Sequence, residues 1–249
     1  MDKTITVLLQ LSLITPFVML LIAALVTCGV LRGKPRWPTV AGIALTSLVA
    51  VSCLCFFSSR LEQQTYSLTL VNWLTLAGES SPQLQIGVLF DPVSLAFYGL
   101  ISLASLFFLL LSPKSENRPD SESRYSWPLY LSGFSAASGI VLSTGFLELL
   151  FFWMILSISL NLLHEVNFQS ESAAEPVSRH WWGWNAFSDA MLLLAVFLIH
   201  TNFPSLDFVK TLQPAAIQTV LAQNRVALPG IGVTLFLAAV PRLGLFPAS

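Results

Sequence analysis

Charge is what this chain has least of. Only 10% of its 249 residues are Asp, Glu, Lys or Arg, against 55% hydrophobic ones. Soluble domains carry about 25% charged residues, so water alone is the wrong solvent for this surface and a membrane is the natural one. The net charge is -1 and the basic residues form no stripe, which excludes nucleic acid as a partner.

Cysteine and histidine are equally sparse. Cys28, Cys53 and Cys55 all fall in apolar runs without CxxC spacing, and His164, His180 and His200 stand far apart. Small core or lipid-facing residues are the reading they support, with no metal expected and no cofactor. Also missing are a GxSxG turn, an HExxH helix and a phosphate loop, so hydrolytic and nucleotide chemistry are excluded from the expectations. A signal peptide is excluded too. The first apolar stretch runs from about Ile5 to Leu31, beyond the roughly 7–15 residues of a signal's apolar core.

What is present is a series of apolar runs. About 20 helical residues cross the hydrocarbon, and seven spans are expected at about 5–31, 38–58, 92–113, 127–145, 147–166, 181–201 and 228–247. The fold class is an all-α polytopic membrane protein with one exception. "YSLTLVNWL" and "LQIGVLF", separated by "TLAGESSPQ", alternate partly with period two and predict a β-hairpin between spans two and three. An open sheet edge is forbidden at membrane depth, so the hairpin belongs outside the bilayer. Residues 113–126 read as a hydrophilic loop. Pro214 to Ala222, before span seven, reads as an interfacial helix. Three domains follow: a transmembrane hairpin over 1–58, the extramembrane β-hairpin over 59–91, and a helical repeat over 92–249.

Lys and Arg set the orientation. Arg32, Lys34, Arg36, Lys114, Arg118, Arg124 and Arg179 follow spans one, three and five, while Lys3, Arg60, Lys210 and Arg225 lie on the other face. The positive-inside bias places the first set in the cytoplasm and the N-terminus and hairpin outside. Trp181, Trp182 and Trp184 stand where span six enters the membrane, as an aromatic anchor does.

Ionisable residues inside spans are costly and are functional candidates by default. Asp189 lies nine residues after His180 and eleven before His200, about 13–16 Å from each along a helix. It reads as a proton-pathway carboxylate or as an aspartate bonded to a neighbouring hydroxyl such as Ser188. Arg242 cannot release its proton and needs a carboxylate, carbonyls or water, unless it snorkels to the membrane edge. Pro241 frees a carbonyl near Leu237, and with Pro247 it marks a broken helix of the kind found at transporter midplanes. Glu148, near the outer start of span five, reads as an interfacial residue or a proton-entry carboxylate. His180 completes the candidate relay of Asp189, Arg242, Glu148 and His180. Ser157, Ser159 and Asn161 offer weak bonds between helices.

At these residues the chain resembles a known family. "LFDPVSLAFYGLIS", "SDAMLLLAVFLIHTNFPSLDF" and "RLGLFP" match, in order, stretches of the antiporter-like, proton-conducting membrane subunits: the NuoL-type subunit of NADH:quinone oxidoreductase, the Mrp antiporter subunits and the DabB subunit of an inorganic-carbon pump. The resemblance covers about residues 85–249. It implies that Asp189 is the aspartate of the sixth helix and that Arg242 replaces the lysine of the broken seventh. Met154 stands where respiratory members place a glutamate after the tryptophan, here Trp153, and Ala186 where they place a basic residue. Together with "SISL" after Trp153, the lost glutamate leans toward the DabB-like branch. That branch implies a DabA-like zinc subunit as partner, and the other branches imply further antiporter-like subunits. The implied function is proton translocation in a bacterial inner membrane, with no catalytic motif in the chain itself. The changes at 154 and 242 also suit a non-conducting scaffold. Family members carry an inverted second repeat after this point, so a fragment, a split gene or a truncated scaffold is expected.

Overall fold

The computed structural model describes residues 36–58, 66–75, 83–111, 120–168 and 175–242, with scattered helical positions between Val7 and Leu25. The expected first span and Pro247 lie outside the described residues. Helix α1 (Arg36–Ser58) leads to strands β1 (Tyr66–Thr75) and β2 (Gln83–Phe90), then α2 (Pro92–Leu111), α3 (Asp120–Leu142), α4 (Phe146–Phe168) and α5 (Glu175–Asn202). A single turn, α6 (Phe208–Thr211), precedes α7 (Pro214–Gln223) and α8 (Ala227–Arg242).

The two strands pair antiparallel, Tyr66 opposite Phe90 and Thr75 opposite Gln83, with irregularities at Thr69/Val71 and Asn72/Leu74. An extra residue in a ladder adds twist and blunts an edge that would otherwise recruit another strand. The hairpin feeds directly into α2. There Asp91 caps the helix: its carboxylate accepts from the Ser94 amide at 2.6 Å and its carbonyl from the Leu95 amide at 3.0 Å. Capping satisfies amides that the first turn leaves orphaned.

Among the described residues three helices are long and apolar enough to cross a membrane: Pro92–Leu109 in α2, Phe146–Val166 in α4 and Trp181–Asn202 in α5. In α1 the apolar stretch is shorter, Thr39–Cys53, and α3 opens on polar residues. Helices therefore occupy the places expected for spans two and four, while the full count of seven goes beyond the described residues. Two boundaries differ from expectation. Helix α3 starts at Asp120, inside the segment read as a loop, and α5 starts at Glu175 rather than near 181. A helix need not stop where its apolar run stops, because its polar first turns stay solvated.

Helix α7 takes the place read as an interfacial helix, and α8 begins where span seven was expected to begin. Helices α7 and α8 meet at 113° across a short break, as a broken span or a re-entrant pair. At the break the Asn224 amide group donates to Asn202 Oδ1 at 3.3 Å, and its own Oδ1 accepts from the Val226 amide at 3.2 Å.

Close packing positions α4. A Cβ on Gly139 of α3 would lie 2.5 Å from the Phe152 ring, and one on Gly145 would lie 2.8 Å from the Leu206 carbonyl oxygen. The chain before α4 is pinned to the chain before α6, since Phe146 N–H donates to Leu206 at 2.9 Å and Phe208 N–H to Thr144 at 3.0 Å. Large apolar side chains face outward from α2 (Leu100, Phe107), α4 (Phe151, Ile158) and α5 (Leu193, Phe197). Beside those apolar lengths, outward Leu and Phe in such number mark a membrane location.

Candidate functional site: a buried ion pair among three helices

Helices α4 and α5 run antiparallel in a register that polar pairs reveal. Ser157 faces Asp189, Asn161 faces Asn185, and His164 stacks on Trp181 with ring centroids 5.6 Å apart. The steps of four and then three or four residues on each helix keep all six on one face. Helix α8 packs antiparallel to α5, with Ser188 Oγ donating to the Ala238 carbonyl at 2.6 Å. Ala238 lies in the turn that Pro241 disrupts, so a side chain of α5 reaches the weakened part of α8.

Asp189 sits where these three helices meet. Its Oδ1 accepts from Arg242 Nη2 at 2.9 Å and its Oδ2 from Ser157 Oγ at 2.6 Å. The side chains of Arg242 and Asp189 are 12% and 18% exposed. Asp189 is 14 residues from the start of α5 and 13 from its end, roughly 20 Å from each by helical rise. Arg242 lies one turn past Ala238, toward the start of α5, yet its guanidinium reaches Asp189 and comes within 5.0 Å of the Trp153 ring centre. The side chain thus folds back into the bundle instead of snorkelling. A cation over an indole face is favoured, more so when desolvated. Three buried donors, Arg242 Nε, Arg242 Nη1 and Trp153 Nε1, have no partner among the described residues.

The hydroxyl on Asp189 is therefore that of Ser157, not the neighbouring Ser188 named from sequence. Ser188 precedes Asp189 by one residue, which turns it about 100° away on a helix, and it is taken by Ala238. Met154, where the resemblance would place a glutamate, is 44% exposed. Its side chain lies on the outer face of α4, away from the ion pair.

Glu148 does not join this group. It is buried 9 residues earlier on α4, about 13 Å from Ser157 by helical rise. Its Oε2 accepts from Thr144 N at 2.9 Å, Thr144 Oγ at 3.0 Å and Gly87 N at 3.4 Å. That carboxylate caps α4 and ties strand β2 to it. His180 is on the opening turns of α5, with its side chain outside the described residues. Pro241 is buried inside α8. Among the described residues no three His, Cys, Asp or Glu side chains come together. Asn161 was read from sequence as a bond between helices, but its partner Asn185 was missed, although its spacing of four residues before Asp189 is a legible signal.

The fold has counterparts. A chain of the membrane-bound sulfane sulfur reductase, an archaeal respiratory membrane complex, superposes with a TM-score of 0.68 at 16% identity. The match covers 96% of this chain and 44% of that one. A chain of the Mrp complex from Dietzia sp. DQ12-45-1b superposes with a TM-score of 0.64 at 17% identity, covering 87% of this chain and 40% of that one. The fold is shared with subunits of respiratory and Mrp membrane complexes. This chain spans less than half the length of those two. No protein-family model and no curated protein matches it.

Proposed function

We propose that the chain is a proton-translocating, antiporter-like subunit of an energy-coupled membrane complex, with Asp189 as its relay carboxylate. The buried Asp189–Arg242 pair carries this reading. A carboxylate far from either end of a membrane helix is expensive and is retained where charge has work to do. Arg242 is the fixed countercharge, because a guanidinium holds its proton at any physiological pH. Ser157 and Trp153 hold the pair in place. When Asp189 takes up a proton, Arg242 loses its partner, and the change in charge is what neighbouring subunits would sense. His180 belongs to the relay on the α5 side. Glu148, read from sequence as an interfacial residue or a proton-entry carboxylate, acts instead as the clamp that holds the hairpin to α4.

The finer assignment is DabB-like: a bacterial inner-membrane subunit with its N-terminus and hairpin outside, coupled through a DabA-like zinc subunit to inorganic-carbon uptake. The outward-facing Met154 supports it, since no carboxylate on α4 meets Arg242. The same observation favours a second reading, a non-conducting scaffold that docks a partner.

Proton flux separates the two. In vesicles carrying the chain with its partners, Asp189→Asn, compared at equal amounts of assembled complex, should lower flux at least tenfold. Flux equal to that of the unmodified complex, or none in either, would leave the scaffold.

A further inference from the structure

Helices α1, α2 and α3 meet away from the ion pair, and three contacts set their register. Thr39 Oγ1 donates to the Trp127 carbonyl at 3.4 Å, Ser47 Oγ to the Ser102 carbonyl at 3.2 Å and Tyr130 Oη to the Ser105 carbonyl at 3.4 Å. Ile43, Leu109, Leu131 and Phe134 pack between the same helices as one apolar cluster. Continued toward the hairpin, this register brings Ala50 of α1, Tyr98 of α2 and Ser138 of α3 to one level. Steps of three and four residues keep them on the faces of Ile43, Leu109 and Leu131, and all three are fully buried.

Two of them carry hydroxyls with nothing to bond. Tyr98 Oη and Ser138 Oγ have no partner among the described residues, and neither has Ser102 Oγ, one turn from Tyr98 on the same face of α2. A serine or threonine inside a helix can take the carbonyl three or four residues back. Thr46, Ser47, Ser135 and Ser143 do so on α1 and α3. Ser102 and Ser138 turn away from that acceptor, although an unpaired buried hydroxyl is costly.

We propose that Tyr98, Ser102 and Ser138 form an internal water site that bridges α2 and α3. Each hydroxyl both donates and accepts, so a ligand that does both suits all three. None carries a charge to offset the desolvation of an ion. Water is neutral and settles where it finds two to four polar partners. Ala50, opposite on α1, has no side chain beyond Cβ to fill the space. The site lies outside the α4, α5 and α8 junction and does not depend on the role proposed for Asp189.

Two measurements on the chain assembled in its complex test it. The first is the thermal midpoint in detergent. Removing a hydroxyl that has no partner relieves an unpaired group, whereas removing one that holds a water strands what the water bonds. Tyr98→Phe and Ser138→Ala should each lower the midpoint by about 2–4 °C, the scale of one net hydrogen bond. The double variant should lose less than the sum, because both changes break one bridge. Unchanged or raised midpoints, or additive losses, would overturn the site. The second measurement is X-ray radiolysis, in which water held inside a protein yields hydroxyl radicals that modify the side chains beside it. Tyr98 should be modified about tenfold faster than Phe134, a slightly more exposed ring in the dry cluster. This comparison needs only the unmodified chain, so it stands where a variant fails to assemble, and equal rates for the two rings would sink the proposal.

Discussion

Arg242 commits one of its five donors to Asp189 and lays its cation on Trp153, while Nε and Nη1 stay without partners among the described residues. Removing one member of a buried pair strands the other, at a cost of about 3–5 kcal/mol in soluble cores. Arg242→Met leaves Asp189 with the Ser157 hydroxyl alone and should lower the thermal midpoint in detergent sharply. Arg242→Lys keeps a cation within reach, loses the planar fork, and should lose less than half as much. Equal midpoints for the two variants would show that the arginine is an interfacial anchor and not the partner of Asp189. The same scale explains one misjudged neighbour. Ser188 is next to Asp189 in sequence, but adjacent residues on a helix point different ways, and Ser157 of another helix supplies the bond.

At the scale of elements, α3 and α4 approach through small residues, as membrane helices do when no hydrophobic driving force separates protein from lipid. Gly133 and Gly139 both line this contact but are not equivalent. A Cβ at 133 would meet Ser159 Cβ at an ordinary 3.7 Å, whereas one at 139 would lie 2.5 Å from the Phe152 ring. Phe152 is buried, so its ring has little room to yield. Gly139→Ala should cost about 1–3 kcal/mol, the range of overpacked cores, and Gly133→Ala close to nothing. Gly139→Ala with Phe152→Leu should recover part of the loss. Denaturation of the three variants in detergent checks this, and indistinguishable single variants would mean that α3 and α4 do not pack this closely.

For the whole molecule, the sides of the membrane are an expectation from the Lys and Arg bias: the α4–α5 connection in the cytoplasm and the hairpin outside. In intact cells, Ser80→Cys should react with an impermeant thiol reagent and Ser172→Cys should not. Reversed labelling would invert the orientation.

Much of this was written in one dimension. Low charge and long apolar runs specified the solvent and, to within a few residues, most helix positions, because a helix must satisfy its own backbone bonds across a bilayer. Period-two alternation marked the hairpin. A lone acid and a lone base deep in apolar segments, Asp189 and Arg242, named each other as partners, since neither has another counter-charge nearby in spans six and seven. The tertiary structure decided what faces what. Lipid and a bundle interior are almost equally apolar, so the pattern of Leu, Phe and Ile along α4 does not show that Met154 turns outward while Trp153, Ser157 and Asn161 turn in. Nor does it show that the chain bends sharply where α7 meets α8. Those follow from the register of three helices, which is a property of their packing and of no single segment.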